Sequence, residues 1–204
     1  MRYLLVFVFL FSLSGCESLV TTESEPASSI DVDAAWAEHH KKLSTLDVWN
    51  INGRISLRFQ EEAWHATLLW KQIDQAYHIR LFGPFGAGAV ELNGSPQHVV
   101  LTQDGQQQFS QDPEQLLSQQ VGYRVPINGL RYWAIGQQVP NKSAIIELDE
   151  FGRLAQLQQD GWKIRYRAYV TSQGFTLPSK IFMENKGLDV RLVIDRWQLT
   201  GPEA

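Results

Sequence analysis

The sequence predicts a mainly β fold with helices: ten or eleven antiparallel strands in one strongly curved sheet, with three helices to cover its apolar side. Three observations predict it. Apolar and polar residues alternate with period two along most of the chain from Asn50 to Leu199. Turn residues interrupt these runs at short intervals. Only three segments carry helical spacing or helix start and stop residues. A sheet of that size tends to curl. Strict alternation leaves one of its faces dry and the other wet.

The elements follow in order. A first helix is predicted from Asp33 to Leu46, capped by Asp31 or Asp33, with Ala35, Trp36, Leu43 and Leu46 as its apolar stripe. In "NINGRISLRF" (50–59), Ile51, Gly53, Ile55, Leu57 and Phe59 share one face, and Asn52, Arg54, Ser56 and Arg58 the other. "QEEA" (60–63) reads as a hairpin turn. Beyond it, Trp64, Ala66, Leu68 and Trp70 fall on one side of a second strand. In "YHIRLF" (77–82), Tyr77, Ile79 and Leu81 oppose His78 and Arg80. A loop rich in Gly and Pro follows, then strands at "AVEL", "HVVLT" and "QQFS". "DPEQLLSQQVG" is a helix with Asp112 as cap, Pro113 in the first position and Gly122 as stop. "NGLRYWAIG" is a third helix, capped by Asn128 and ended by Gly136. Strands resume at "AIIEL", turn at Asp149–Gly152, continue through "RLAQLQQ", turn at Asp160-Gly161, and run on as "WKIRYRAY", "TLPSKIFMEN" and "DVRLVIDRWQL". The dry face is bulky, with Trp64, Trp70, Ile79, Leu81, Ile164, Tyr166, Leu192 and Ile194. A half-barrel lined this way can hold a packed core or a long apolar cavity. The pattern fits both.

The N-terminus reads as a targeting signal. Met1-Arg2 is followed by the apolar run Tyr3 to Leu13, about half the roughly 20 residues a membrane span needs. "LSGC" (13–16) then places the chain's one cysteine, Cys16, directly after a small-residue cleavage site. This segment resembles a bacterial lipoprotein signal. The resemblance implies removal of residues 1–15, a diacylglyceryl group on the Cys16 thiol and a third acyl chain on its amine. Residues 16–30 carry no apolar period and read as a flexible tether; 31–204 form a single domain. Cleavage would leave 17 basic and 22 acidic residues, a net charge of −5. That excludes the basic character of a nucleic-acid binder, and leaves membrane attachment to the lipid.

No catalytic machinery is legible. The five His (His39, His40, His65, His78, His98) show no metal-ligand spacing, and no GxSxG elbow occurs. "GPFGAG" lacks the Lys-Ser/Thr and the helix of a phosphate loop. Glu61-Glu62 and Asp149-Glu150 read as solvated turn acids. Arg54, Arg58, Arg80, Lys163, Arg165 and Arg167 fall on the polar face, as a basic patch or as an ordinary wet surface. One feature is out of place for a soluble chain: Phe85, set by Gly83, Pro84, Gly86 and Gly88 in a turn.

The lipobox "LSGC", the loop "GPFGAGAVEL", the helix "GLRYWAIG", and the strands "WKIRYRAY", "LPSKIFME" and "VRLVIDRWQL" together resemble one family, the outer-membrane lipoprotein receptor and insertase LolB. The resemblance implies an incomplete antiparallel β-barrel of about eleven strands, closed by about three helices around an apolar cavity. It implies a monomeric receptor with no enzyme activity, no cofactor and no metal. Such a receptor accepts acylated lipoproteins from the periplasmic carrier LolA and inserts them into the inner leaflet of the outer membrane without nucleotide hydrolysis. It assigns lipidation to Cys16 and membrane insertion to the loop Gly83, Pro84, Phe85 and Gly86, with Phe standing where the family usually has Leu. Candidates for the acyl-chain cavity are Ile55, Leu57, Trp64, Leu68, Trp70, Ile79, Leu81, Trp133, Tyr166, Leu192 and Ile194. Glu17 follows the acylated Cys where Asp would favour inner-membrane retention, which is consistent with outer-membrane placement. The alternatives are a structural outer-membrane lipoprotein with a solid core, whose Phe85 loop docks a protein partner, and a periplasmic lipid hydrolase or transferase.

Overall fold

The computed structural model describes residues 30–86, 88–121 and 125–199. The signal segment, Cys16, the tether up to residue 29 and the Gly122 stop lie outside them, as does the side chain of Phe85. Helix α1 (Val32–Leu43) is capped by Asp31, whose carboxylate accepts from the Ala34 amide at 3.1 Å. It ends at Leu43 rather than Leu46 because the Ser44 and Thr45 hydroxyls donate to the carbonyls of Lys41 and Lys42, which turns the chain out of the helix.

Eleven strands form one antiparallel sheet. They are β1 (Val48–Phe59), β2 (Glu62–Ile73), β3 (Ala76–Phe82), β4 (Val90–Gly94), β5 (Val99–Gln103), β6 (Gln106–Ser110), β7 (Ile145–Leu148), β8 (Leu154–Gln159), β9 (Trp162–Ser172), β10 (Phe175–Asn185) and β11 (Leu188–Gln198). The spatial order is β6-β5-β4-β3-β2-β1-β11-β10-β9-β8-β7. Two hairpin ladders are thus joined along one seam, β1 with β11. The sheet does not close: β6 and β7 are free edges. Helices α2 (Pro113–Val121) and α3 (Ile127–Ala134) lie in the connection between those two edges. Asp112 caps α2 as expected, accepting from the Glu114 and Gln115 amides. Helix α3 departs from the expectation at its start. Asn128 lies inside its first turn, and the cap is Pro126, whose carbonyl accepts from Gly129 and Leu130 while its ring holds φ at −76°.

Because every hairpin reverses the chain, the turns fall at two ends. One end carries the turns after β2, β4, β7 and β9, and α1 lies across it. Lys42 Nζ donates to the Gly174 carbonyl there, and a Cβ on Gly152 would sit 2.7 Å from the Trp36 backbone nitrogen. The opposite end carries the turns after β1, β3, β5, β8 and β10. Near the α1 end the core is packed with rings: Trp49 (1% exposed) lies 4.9 Å from Trp70 and 5.5 Å from Trp197.

Two positions give direct tests of this packing. Gly53 sits at the bulge of the seam, where a Cβ would lie 2.4 Å from the Val193 carbonyl oxygen. Backbone cannot yield as a side chain does, so Gly53→Ala is expected to lower stability by about 1–3 kcal/mol in urea unfolding. A midpoint equal to wild type would contradict the seam register. Tyr77 lies over Gly94, whose absent Cβ makes room for the ring. Burial pushes the Tyr77 phenol up to about 12. The folded state therefore favours the neutral phenol. That stability is fully present below pH 10 and is lost as pH rises from 10 through 12, by at most about 3 kcal/mol. Tyr77→Phe is expected to flatten that part of a stability–pH curve, which urea titrations at pH 9 to 11.5 would show.

Candidate functional site

Between the concave face of the sheet and the α2–α3 connection lies a cavity of about 850 Å³. Its wall is built from the inward register of the central strands. Ile55 and Leu57 come from β1, Trp64, Leu68 and Trp70 from β2, Ile79 and Leu81 from β3, and Leu192 from β11. These are eight of the eleven positions singled out in the sequence. The other three lie elsewhere. Trp133 is fully buried, with its indole N–H on Gln159 Oε1 and its ring 6.1 Å from Trp162. Tyr166 is tied to that helix, its hydroxyl donating to the Trp133 carbonyl at 3.0 Å. Ile194, at 5% exposure, belongs to the same packed core and not to the cavity wall. Tyr166 and Ile194 fall on the dry face of the sheet, and α3, which carries Trp133, packs against Tyr166.

The roof is what sequence reasoning missed. Leu117 of α2, Ile127, Leu130 and Ala134 of α3, and Val125 between the helices complete the cavity. Their signal was the apolar spacing of the two helices, which shows a buried face without showing what it faces. Val90, Leu92 and Leu101, on the short strands β4 and β5, and Met183 and Val190 also line it.

Glu62 and Gln103 are the lining residues with a charged or amide side chain, and both are exposed at the rim. Among the described residues the lining holds no Ser, Thr, Cys, His or Lys, and its one carboxylate, Glu62, stands exposed at the rim, away from the apolar interior. It can hold an apolar ligand. The rim residues Phe59, Glu62, Ala63, Gly88, Gln103 and Leu188 place the opening at the end opposite α1. The Gly- and Pro-rich loop is at this opening. Pro84–Gly86 form a 3-10 turn in which the Gly86 amide donates to the Gly83 carbonyl at 3.1 Å, and Gly86 has φ +80°.

The wet face carries the cationic side chains. Arg54 pairs with Asp195, Arg58 with Asp189, Arg80 with Glu91 and Arg165 with Glu184. Four of the six cations noted in the sequence are thus paired with carboxylates, which makes this face a mixed surface more than a basic patch. Asp149 is not a solvated turn acid. Its carboxylate accepts from the Phe151 and Arg153 amides and pairs with the Arg153 guanidinium. Burial opposes its charge, but those hydrogen bonds outweigh it and hold the carboxyl below the usual range. Among the described residues no group of three or more metal-ligating side chains occurs.

The model of the family described as Outer membrane lipoprotein LolB matches residues 47–197. The chain belongs to the LolB family. It is 39% identical over 199 residues to the outer-membrane lipoprotein LolB of Pseudomonas syringae pv. syringae, covering 97% of this chain and 96% of that one. It is 38% identical over 200 residues to that of Nitrosococcus oceani, covering 97% and 98%. Among solved structures it is similar to a LolA superfamily protein from Nitrosomonas europaea, with a TM-score of 0.54 at 10% identity, covering 87% of this chain and 96% of that one. A putative outer membrane lipoprotein-sorting protein domain from Vibrio parahaemolyticus gives 0.52 at 9% identity. Those two likenesses are of fold. The LolB family is one of outer-membrane lipoproteins involved in lipoprotein localisation, not of enzymes. The incomplete eleven-stranded barrel with three helices is the fold predicted from the sequence.

Proposed function

We propose that this LolB-family protein is a receptor that accepts acylated lipoproteins from the periplasmic carrier LolA, shelters their acyl chains in the cavity and inserts them into the inner leaflet of the outer membrane. Residues 1–15 are its signal, lipidated Cys16 its anchor on the periplasmic face, 16–30 its tether and 31–204 its working domain, which acts as a monomer. The observation that carries this reading is the 850 Å³ apolar cavity, whose mouth shares one end of the barrel with the Gly83–Gly86 loop. A solid core, which a purely structural lipoprotein would have, is not what the sheet encloses.

The energetics suit the task. A sixteen-carbon chain gains about 12 kcal/mol on leaving water, at about 0.8 per methylene. Cargo therefore has to pass from one apolar site to another, with the bilayer as the deepest sink. The last step is downhill and uses no nucleotide. The tether joins the α1 end, away from the mouth. From Cys16 to Ile30 the chain can reach about 50 Å fully extended, against about 40 Å for a twelve-residue strand such as β1, so the anchored domain can turn its mouth to the membrane.

The test is stepwise transfer of an acylated lipoprotein from purified LolA to this protein and then to liposomes. Cargo is expected to co-purify with the protein after the first step and with lipid after the second, in nucleotide-free buffer. A fluorescent fatty acid should bind saturably and be displaced by palmitate. Without saturable binding or cargo capture, the receptor reading fails.

A further inference from the structure

A second cavity, of about 470 Å³, shares helix α3 with the first. Ile127, Leu130 and Ala134 line the large cavity, whereas Arg131, Tyr132 and Ile135 line the small one. The rest of its wall comes from the link between α1 and β1, with Leu46 and Asp47, and from the turn between β2 and β3, with Asp74. Its charged groups meet through the backbone. The Asp74 amide donates to the Asp47 carbonyl at 2.8 Å, and the Asp74 carbonyl accepts from Arg131 Nη1 at 2.8 Å. Arg131 Nη2 donates to the Tyr132 hydroxyl at 2.6 Å, and the guanidinium lies 4.5 Å from the centre of that ring, which fixes its orientation. Two of its five N–H donors are used in this way.

The charges themselves are left uncombined. Arg54, Arg58 and Arg165 on the wet face each pair with a carboxylate. Arg131 forms no ion pair among the described residues, although the carboxylates of Asp47 and Asp74 line the same cavity and are themselves without a partner there. A half-buried cation and two exposed anions thus stand apart beside the apolar surface of Leu46 and Ile135. A ligand that carries both charges can bridge them. Its carboxylate takes the remaining guanidinium donors, its ammonium takes Asp47 and Asp74, and an apolar side chain covers Leu46 and Ile135.

We propose that this cavity is a second binding site, for the zwitterion of a hydrophobic amino acid or dipeptide. The occupant ties α3 to the two links and so braces the roof of the large cavity. The site does not depend on the receptor function above.

Calorimetric titration of the mature protein with L-leucine and with the dipeptide Leu-Leu is expected to show saturable binding at one site. N-acetyl-leucine, which lacks the ammonium, and leucinamide, which lacks the carboxylate, are each expected to bind at least tenfold more weakly. Arg131→Gln and Asp47→Asn are each expected to weaken leucine binding about tenfold. The Asp47 side chain is exposed and has no partner to lose, so Asp47→Asn is expected to keep the wild-type unfolding midpoint. Hydrogen exchange with leucine present is expected to slow at the α3 amides of Leu130 to Ala134. The proposal is overturned if neither leucine nor Leu-Leu binds, if N-acetyl-leucine or leucinamide binds as tightly as leucine, if Asp47→Asn binds leucine as wild type does, or if exchange slows only away from α3.

Discussion

Phe85→Glu is expected to leave the protein folded and able to take up cargo, yet to lower its delivery into liposomes about tenfold or more. Burying one Phe side chain in an apolar medium is worth about 1.5–3 kcal/mol, which corresponds to a factor of roughly ten to a hundred in a rate or population that depends on it. A carboxylate in its place adds a desolvation cost of the opposite sign. The loop backbone tolerates the change, since its conformation rests on Gly83, Pro84 and Gly86 and not on residue 85. Uptake depends on the cavity wall, which the strands and the α2–α3 connection build. Phe85→Leu keeps an apolar tip and is expected to deliver normally. Liposome transfer of a radiolabelled lipoprotein, with uptake from LolA measured in parallel, separates the two steps. Delivery by Phe85→Glu at the wild-type rate would show that the loop does not act on lipid.

Trp133→Ala is expected to cost about 3–5 kcal/mol, the range for deleting a large buried ring. Trp133 is fully buried on α3, against Trp162. Its indole N–H also donates to Gln159 Oε1, which accepts from the Val139 amide as well, while Gln159 Nε2 donates to the Val139 carbonyl. Gln159 itself is 3% exposed, so removing the indole leaves a buried amide short of one partner. Because α3 roofs the cavity through Ile127, Leu130 and Ala134, fatty-acid affinity is expected to fall with stability. Trp133→Phe keeps most of the ring and loses the hydrogen bond, and should cost about 1–3 kcal/mol. Urea unfolding with a common slope checks both. A loss below 1 kcal/mol for the alanine variant would show that α3 is not held through this residue.

The strands were legible because period-two alternation is a local signal. Ile51, Ile55 and Leu57 in β1 and Tyr77, Ile79 and Leu81 in β3 fall on the dry face as read. The cavity was only half legible, and Trp133 shows why. Its apolarity marks it as inward, but whether an inward ring meets a neighbour or empty space depends on where a helix from a distant part of the chain comes to rest. The same holds for Leu117 and Leu130, whose helical stripe marks a face without its partner. Asn128 has the side chain of a good cap, but Pro126 supplies the turn two residues earlier. Asp149 looked solvated because sequence does not show Arg153 folding back onto it.

The seam between β1 and β11 also bears on how the chain folds. Within each ladder every strand pairs with a neighbour in sequence, and such contacts form quickly. Across the seam, the Arg58–Asp189 and Arg54–Asp195 pairs join residues 131 and 141 positions apart. Closing a loop of that length is entropically costly and slow. The two ladders can each assemble alone, but the barrel cannot come together until the last strand arrives.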